Sequence, residues 1–356
     1  MSEQVRLALA SVVEGRTLSI DEARAAMGAV MDGEATSAQL AALLVALRMR
    51  GETIEELAGF AAAMRDRVVR VDAPKGTIDT CGTGGDASGT FNISTAAALV
   101  VAAAGVPVAK HGNRAITSRS GSADVLEALG VRTNHDAVSA GVALRHLGFA
   151  FLFAPGFHPA MRHAGPTRRE IGVRTAFNLL GPLTNPAGAR RQVVGVGDPA
   201  AAPRIAEVLR LLGAERAFVV HGDGLDELPL DGSGVLYDVS ADGVIKRAVD
   251  ARALGLSRAA TSALAGGDPE ANARLLEAVL RGESGARRDV VLLNAGAALL
   301  AAGRTETLES GIELAALTID AGLGSELLEG LRGEKRAADA AVAADAAAAE
   351  PQKAPA

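Results

Sequence analysis

The chain has 356 residues, of which 49% are hydrophobic and only 3% aromatic, and its formal net charge is −6. This length allows one large domain or two smaller ones with a sizeable core. The acidic balance gives no electrostatic footprint for nucleic acid, and the single cysteine excludes a disulfide framework and a multi-cysteine zinc site. The apolar run at residues 96–109 is interrupted by Gly105 and Pro107 and is too short to span a bilayer. We therefore expect a cytoplasmic protein that binds neither membrane nor nucleic acid.

The first 70 residues are predicted to be helical. Capping-box patterns occur at residues 19–22, 36–39 and 53–56, and each opens a helical segment. After the third box, apolar side chains recur at helical spacing and are expected to share one face: Leu57, Phe60, Ala61 and Met64. We predict a small helical domain over residues 1–72, joined by an Arg- and His-rich helical segment at about 158–185.

From residue 76 onward, strand-like and helix-like stretches alternate. The predicted strands are 77–81, 106–110, 149–153, 192–196, 217–221 and 235–239, and the helices between them include 123–129, 201–212 and 290–302. Such alternation predicts an α/β domain with a mostly parallel central sheet and surrounding helices, here over residues 73–157 and 186–334. The low-complexity tail, 335–356, is expected to be disordered or a frayed helix.

The stretch DTCGTGGDASGTFNIST, residues 79–95, lies between a predicted strand and a predicted helix. Glycines at 82, 84 and 85 allow backbone N–H groups to approach an anion, and Ser94 or Thr95 is expected to cap the helix that follows. A helix N-terminus attracts phosphate, so two successive anion-binding devices suggest a polyphosphate ligand. The alternative is a tight turn with an ordinary cap. Cys81 is read as a packed small side chain.

A second motif, KHGNRAITSRSGSADVLEALG at residues 110–130, repeats the strand–loop–helix context. Lys110 and Arg114 supply positive charge, Asn113 donates and accepts, and several serines offer hydroxyls. This is the content of a phosphate-and-sugar site at the end of a strand, although a solvated basic loop would have the same composition.

A third motif, VVHGDGLDELPLDG at residues 219–232, places Asp226 beside Glu227, with Asp223 three residues before Asp226. Mg²⁺ prefers one or two carboxylates together with substrate phosphates, so the pair is a candidate metal site, or else part of a turn. In a fourth motif, residues 162–186, four arginines cluster on a helical segment: Arg162, Arg168, Arg169 and Arg174. Arginine suits bidentate carboxylate binding, but most of these are expected to be surface or structural residues, and at most one or two of them to face a ligand.

Taken together, these four motifs resemble the anthranilate phosphoribosyltransferases of tryptophan biosynthesis, over about residues 5–332. The resemblance implies a homodimer that transfers the phosphoribosyl group of phosphoribosyl pyrophosphate (PRPP) to anthranilate, with Mg²⁺ and a catalytic cleft between the two domains. Lys110, Asp226 and Glu227 are its implied catalytic residues. The residues implied to bind PRPP are Gly82, Gly85, Asp86, Thr90, Asn92, Ile93, Ser94, Thr95, Lys110, His111, Gly112, Asn113, Arg114, Ala115, Ile116, Thr117, Ser118 and Ser122. Those implied to bind anthranilate are Gly82, His111, Asn113 and Arg168, and the implied magnesium ligands are Ser94, Asp226 and Glu227.

Two other functions remain as alternatives at this point. A pyrimidine nucleoside phosphorylase shares the glycine loop, but the Asn113–Arg114 pair and the LLGPLTNP segment speak against it. A non-catalytic relative that binds nucleic acid would carry a basic surface and would not need Asp226 and Glu227. His111 either accepts the proton released by the amine or lines the pocket, and we favour the lining role.

Overall fold

The structure is a computed structural model that describes residues 1–115, 119–222 and 224–349, with side chains to residue 344. Four helices open the chain and form the helical domain's first layer. Their bounds are α1 Glu3–Val13, α2 Ile20–Met31, α3 Ser37–Arg50 and α4 Ile54–Asp66. All three predicted capping boxes are confirmed: Ser19, Thr36 and Thr53 each accept a backbone N–H of the first turn, and each residue three positions on bonds back.

The rest of the chain builds one seven-stranded sheet covered by helices. The strands are β1 Ile78–Gly82, β2 Val108–Gly112, β3 Phe149–Phe153, β4 Arg191–Gly195, β5 Arg216–His221, β6 Gly234–Ser240 and β7 Gly243–Val249. The helices are α5 Ile93–Ala103, α6 Ser122–Ala128, α7 Ala137–Leu147, α8 Ala154–Phe157, α9 Gly165–Ile171, α10 Phe177–Leu180, α11 Ala202–Leu211, α12 Pro269–Leu280, α13 Ala286–Ala301, α14 Leu308–Asp320 and α15 Leu323–Ala349. All six predicted strands are present, each shifted by at most two residues.

The sheet order is β3-β2-β1-β4-β5-β6-β7, with the first five strands parallel and the last two antiparallel. Alternate residues of a strand point to opposite faces, so β4 sends Val193 into one core and Val194 into the other. One core lies under α5 and α12–α15. The other joins α11 to the helical domain. This is the predicted fold class, an N-terminal helical layer joined to a mostly parallel α/β sheet.

The Arg- and His-rich segment folds into short helices that pack on the first layer. α9 contacts α3, and α10 contacts α4. Phe177 and Leu180 are buried in the same core as Leu44 and Phe60. In the described part of the tail, residues 335–349 continue α15 as a helix, which is one of the two forms expected for this segment.

Candidate functional site

Three of the four predicted motifs follow the carboxyl ends of strands in the same part of the sheet. β1 leads into the glycine-rich loop, β2 into the loop before α6, and β5 into the segment with the acidic pair. Strands β2, β1, β4 and β5 lie side by side and parallel. Their loops therefore emerge at the same edge of the sheet, where open α/β sheets bind ligands.

Ser94 joins three of the motifs. Its backbone N–H donates to Oε1 of Glu227 over 2.9 Å, and the Nζ of Lys110 lies 3.4 Å from its hydroxyl oxygen. Lys110 is buried and also donates to the carbonyl oxygen of Thr80 over 2.5 Å. Residues 133 positions apart thus meet at one helix terminus. This convergence brings an anion-binding helix end, a buried cation and a carboxylate into direct contact.

The predicted cap of α5 is wrong in detail. Asn92, and neither Ser94 nor Thr95, stands at the N-cap position, and its side chain makes no capping hydrogen bond. The Asn92 amide instead donates to the carbonyl oxygen of Ser120 and accepts from Asn272. The tertiary contacts of Asn92 have replaced local capping, and Glu227 bonds one of the first-turn N–H groups in its place.

The glycine-rich loop is held in a compact shape against the acidic pair. The Gly84 N–H donates to Oδ2 of Asp226 over 3.0 Å, and the Thr83 N–H donates to the carbonyl oxygen of Gly195. A Cβ at Gly82 would collide with Oδ2 of Asp226, so any other residue here would displace the Asp226 carboxylate from its present position. The loop is therefore built around Asp226.

The electrostatics of the site are dominated by crowded carboxylates. Burial raises the pKa of Asp226, and the nearby charge of Asp86 raises it further. Burial also raises the pKa of Glu227; Asp226 adds to that rise, and Lys110 opposes it. The pKa of Lys110 is lowered by burial, against the attraction of the carboxylates. With Lys110 as their buried cation among the described residues, the two carboxyl groups therefore hold their protons to a higher pH than usual.

This donor set fits a magnesium ion. Ser94, Asp226 and Glu227 offer a hydroxyl and two carboxylates, which are hard oxygen ligands of the kind Mg²⁺ takes. The described residues contain no cluster of three or more His, Cys, Asp or Glu side chains suited to a metal. The ion's remaining coordination positions would have to be filled by water or by substrate oxygens, as is common for Mg²⁺ bound with phosphates.

Two buried residues that the motif analysis did not select, Asp79 and Asn185, link strands β1 and β2 next to the site. Registered pairing between β1 and β2 is confined to Ile78 and Val108. Beyond that pair, Oδ1 of Asp79 accepts the His111 N–H over 3.2 Å, and the Asn185 amide donates to Oδ2 of Asp79 over 2.7 Å. Asn185 also donates to the backbone carbonyl oxygen of Ala109. A charged residue inside an otherwise uncharged, buried strand was the available sequence signal.

Other predicted PRPP residues lie on the same loops but have protein partners here. Arg114 is exposed and pairs with Asp124 and Glu127, with nitrogen–oxygen distances of 3.1 and 2.7 Å. The side-chain oxygen of Asn113 accepts the Arg114 backbone N–H, and the backbone carbonyl oxygen of Asn113 accepts the Ser122 hydroxyl. The remaining described members lie on the loop, at the start of α5 or at the end of β2: Gly85, Asp86, Thr90, Ile93, Thr95, Gly112 and Ala115. Ile116, Thr117 and Ser118, like Asp223, lie outside the described residues.

The residues implied to bind anthranilate lie on these loops or beside them. His111 is buried; its Nδ1 is 3.2 Å from the carbonyl oxygen of Gly181, and its ring centroid is 5.0 Å from that of His158. Burial lowers the pKa of His111 to about 3. Arg168 is half-buried on α9, with its guanidinium carbon 4.8 Å from the centroid of the Phe177 ring. Among the described residues its guanidinium has no hydrogen bond or ion pair.

Fold and site together define a two-domain glycosyl transferase, and family profiles agree. A profile described as "Glycosyl transferase family, helical bundle domain" matches residues 6–68, and "Glycosyl transferase family, a/b domain" matches residues 74–325. No helix in the described part of the chain is long and apolar enough to cross a membrane.

Individual relatives narrow this class. An anthranilate phosphoribosyltransferase of Pelotomaculum thermopropionicum is 53% identical over 90% of this chain and 93% of its own. One from Azorhizobium caulinodans is 51% identical over 92% and 96%. The crystal structure of the Thermus thermophilus enzyme aligns with TM-score 0.88 and 48% identity, over 92% of this chain and 99% of that one. The Saccharomyces cerevisiae enzyme in complex with PRPP and Mg aligns with TM-score 0.86 and 27% identity, over 94% and 99%. The chain belongs to the anthranilate phosphoribosyltransferase family.

Proposed function

We propose that the chain transfers the phosphoribosyl group of PRPP to the amine of anthranilate and releases pyrophosphate. The observation that carries this proposal is the convergence on Ser94 of a helix N-terminus, the buried Lys110 and the Glu227 carboxylate. Such a site offers donors to a diphosphate and oxygen ligands to a divalent cation, which are the two needs of a pyrophosphate leaving group.

The donor half-site is assigned to the loops after β1 and β2. The glycine-rich loop and the first turn of α5 would receive the pyrophosphate, while the loop from Lys110 to Ser122 would surround the ribose and its 5′-phosphate. Ser94, Asp226 and Glu227 would hold Mg²⁺, which when bound neutralises charge on the leaving pyrophosphate. Lys110 stands where it can add a second positive charge to the same group.

The acceptor half-site is assigned to Gly82, His111, Asn113 and Arg168. Arg168 is a half-buried cation whose guanidinium faces the Phe177 ring and has no hydrogen bond or ion pair among the described residues, so a carboxylate would supply the partner it lacks. The low pKa of His111 supports a lining role, since a neutral imidazole of such low basicity is a poor proton acceptor at pH 7.

In the transfer step the anthranilate nitrogen forms a bond to C1′ of the ribose as the bond from C1′ to the pyrophosphate oxygen breaks, with inversion. The electron pair leaves with pyrophosphate, and the extra proton on nitrogen passes to solvent or to the leaving group. Because a neutral aryl amine is already nucleophilic, this chain's contribution is to hold the two reactants together and to stabilise the departing charge.

We further infer a homodimer formed through the helical domain, which would comprise residues 1–72 and about 158–185. Three large apolar side chains on α1 and α3 are exposed: Leu7, Val45 and Met49 are 54%, 38% and 84% accessible. Since α1 packs on α3, such a surface suits a second copy of the chain. The buried single Cys81 is compatible with the reducing cytoplasm we propose as its location.

The activity test follows the intrinsic fluorescence of anthranilate in the presence of purified protein, PRPP and Mg²⁺. We expect the signal to fall only when both PRPP and metal are present, and Glu227→Gln to slow the loss. A folded protein that leaves the fluorescence unchanged would refute the transferase, and phosphorolysis of pyrimidine nucleosides would then be assayed with the same preparation.

A further inference from the structure

Arg174 is one of three arginines of the fourth motif to which no substrate role is assigned, the others being Arg162 and Arg169. It lies between α9 and α10, where Gly172 ends one helix with a φ of 68° and Asn178 accepts the Thr175 N–H at the start of the next. Its guanidinium borders a cavity of about 350 Å³ between α3 and the glycine-rich loop. The linker that carries Arg174 is therefore anchored at both ends, within reach of the loop.

The guanidinium of Arg174 holds two successive carbonyl groups of that loop. Nη2 donates to the oxygen of Gly84 over 3.1 Å, and Nη1 donates to the oxygen of Gly85 over 3.4 Å. Both glycines have left-handed φ values, 64° and 70°, which turn their carbonyls to the same side. A Cβ on Gly85 would collide with Nη1, so glycine is required for this contact.

These bonds also fix the direction of two backbone donors. In a trans peptide the N–H is antiparallel to the C=O of the preceding residue. With the Gly84 and Gly85 carbonyls directed at Arg174, the N–H groups of Gly85 and Asp86 point away from it. Among the described residues, neither of these two N–H groups has an acceptor. The Gly84 N–H, by contrast, is already bonded to Asp226.

We propose that Arg174 is a positioning residue that aims the Gly85 and Asp86 N–H groups at the diphosphate of the donor substrate. This rests on the proposed function of the site. Its positive charge at the carbonyl end of each peptide also polarises the N–H at the other end, which strengthens both donors. Since α9 carries Arg168, one short segment of the chain holds both the arginine assigned to anthranilate and the arginine that contacts the PRPP-binding loop.

The test compares Arg174→Ala and Arg174→Lys with Arg169→Ala, a control that removes an exposed arginine from the same segment. Binding of inorganic pyrophosphate with Mg²⁺ is measured by calorimetry. We expect it to weaken about tenfold in Arg174→Ala and about threefold in Arg174→Lys, which keeps the charge but loses the two-pronged contact. The KM for PRPP should rise in parallel, whereas the KM for anthranilate at saturating PRPP should change less than about twofold.

Amide hydrogen exchange of the ligand-free proteins supplies a readout independent of activity. Arg174→Ala should speed exchange at residues 82–89 and leave the sheet core unchanged, and Arg169→Ala should do neither. Wild-type pyrophosphate affinity in Arg174→Ala would overturn the proposal. So would an equal rise in both KM values, which indicates a general disturbance of the site, or faster exchange throughout the chain, which indicates a purely structural role. If the wild-type chain shows no transferase activity while pyrophosphate binding and loop exchange still depend on Arg174, the positioning role stands and the proposed function fails.

Discussion

Replacing Arg168 by alanine tests the acceptor half-site most directly. The side chain is half-buried on α9, its guanidinium faces Phe177 at 4.8 Å, and no carboxylate pairs with it among the described residues. Burial lowers its pKa without displacing it from the charged form. The position therefore holds a partly desolvated cation whose natural partner is a small carboxylate.

The magnitude of the loss follows from this setting. Truncating one partner of a buried, hydrogen-bonded charge pair costs about 2–5 kcal/mol. Because Arg168 is only half-buried we take about 3 kcal/mol, which corresponds to a rise of roughly 150-fold in the KM for anthranilate. The fold should tolerate the change, since the cation–π contact with Phe177 contributes only about 0.5–1 kcal/mol.

The assay is steady-state kinetics with each substrate varied against a saturating level of the other. The KM for PRPP should stay within about threefold of wild type, and Arg168→Lys should fall between wild type and alanine, because it keeps the charge without the planar fork. Arg169→Ala, exposed on the same helix, serves as the control and should match wild type. Equal losses for anthranilate and PRPP, or an Arg169 variant as impaired as the Arg168 variant, would refute the assignment.

Three further changes test other parts of the site and fold. Asp79→Asn should lower kcat more than about tenfold and the free energy of unfolding by about 1–3 kcal/mol, because it turns an amide donor toward the Asn185 amide. The control is Asp72→Asn at an exposed position, and equal denaturation midpoints for the two variants would contradict this role of Asp79. Glu227→Gln keeps an acceptor for the Ser94 N–H but removes one of two crowded charges, so the Mg²⁺ concentration for half-maximal activity should rise at least about tenfold while Tm does not fall; an unchanged Mg²⁺ requirement would remove Glu227 from the metal site. His135, whose neighbours are Arg132, Asp136 and Glu334, has a pKa lowered by burial to about 4. Between about pH 6.5 and 4 the unfolded state binds a proton at His135 that the native state does not, so stability falls on acidification through that range. At pH 4.5 the contribution of His135 to this loss is about 2.5 kcal/mol. Denaturant titrations of His135→Gln should show a loss of stability that is smaller by this amount.

One strand escaped prediction for a physical reason. β7 carries Lys246 and Arg247, and four of its seven residues are exposed, so it has neither an apolar run nor a clean alternation. It exists as a strand because β6 offers a paired edge over its whole length, from Gly234 with Val249 to Ser240 with Gly243. An edge strand is specified by its neighbour's hydrogen bonds as much as by its own side chains.

Local chemistry in the sequence by itself determined most of the elements and the polar motifs of the site. Capping boxes, strand–helix alternation, three polar motifs at strand ends and one on a helical segment depend on residues a few positions apart, and each was readable without the fold. Only the tertiary structure decided the contacts between residues far apart in the sequence. Glu227 bonds the Ser94 N–H, Asn185 bonds Asp79, and Arg174 holds the carbonyls of Gly84 and Gly85, between residues 133, 106, 90 and 89 positions apart. Such pairings follow from strand order and from which helix covers which loop, so no local pattern of side chains encodes them.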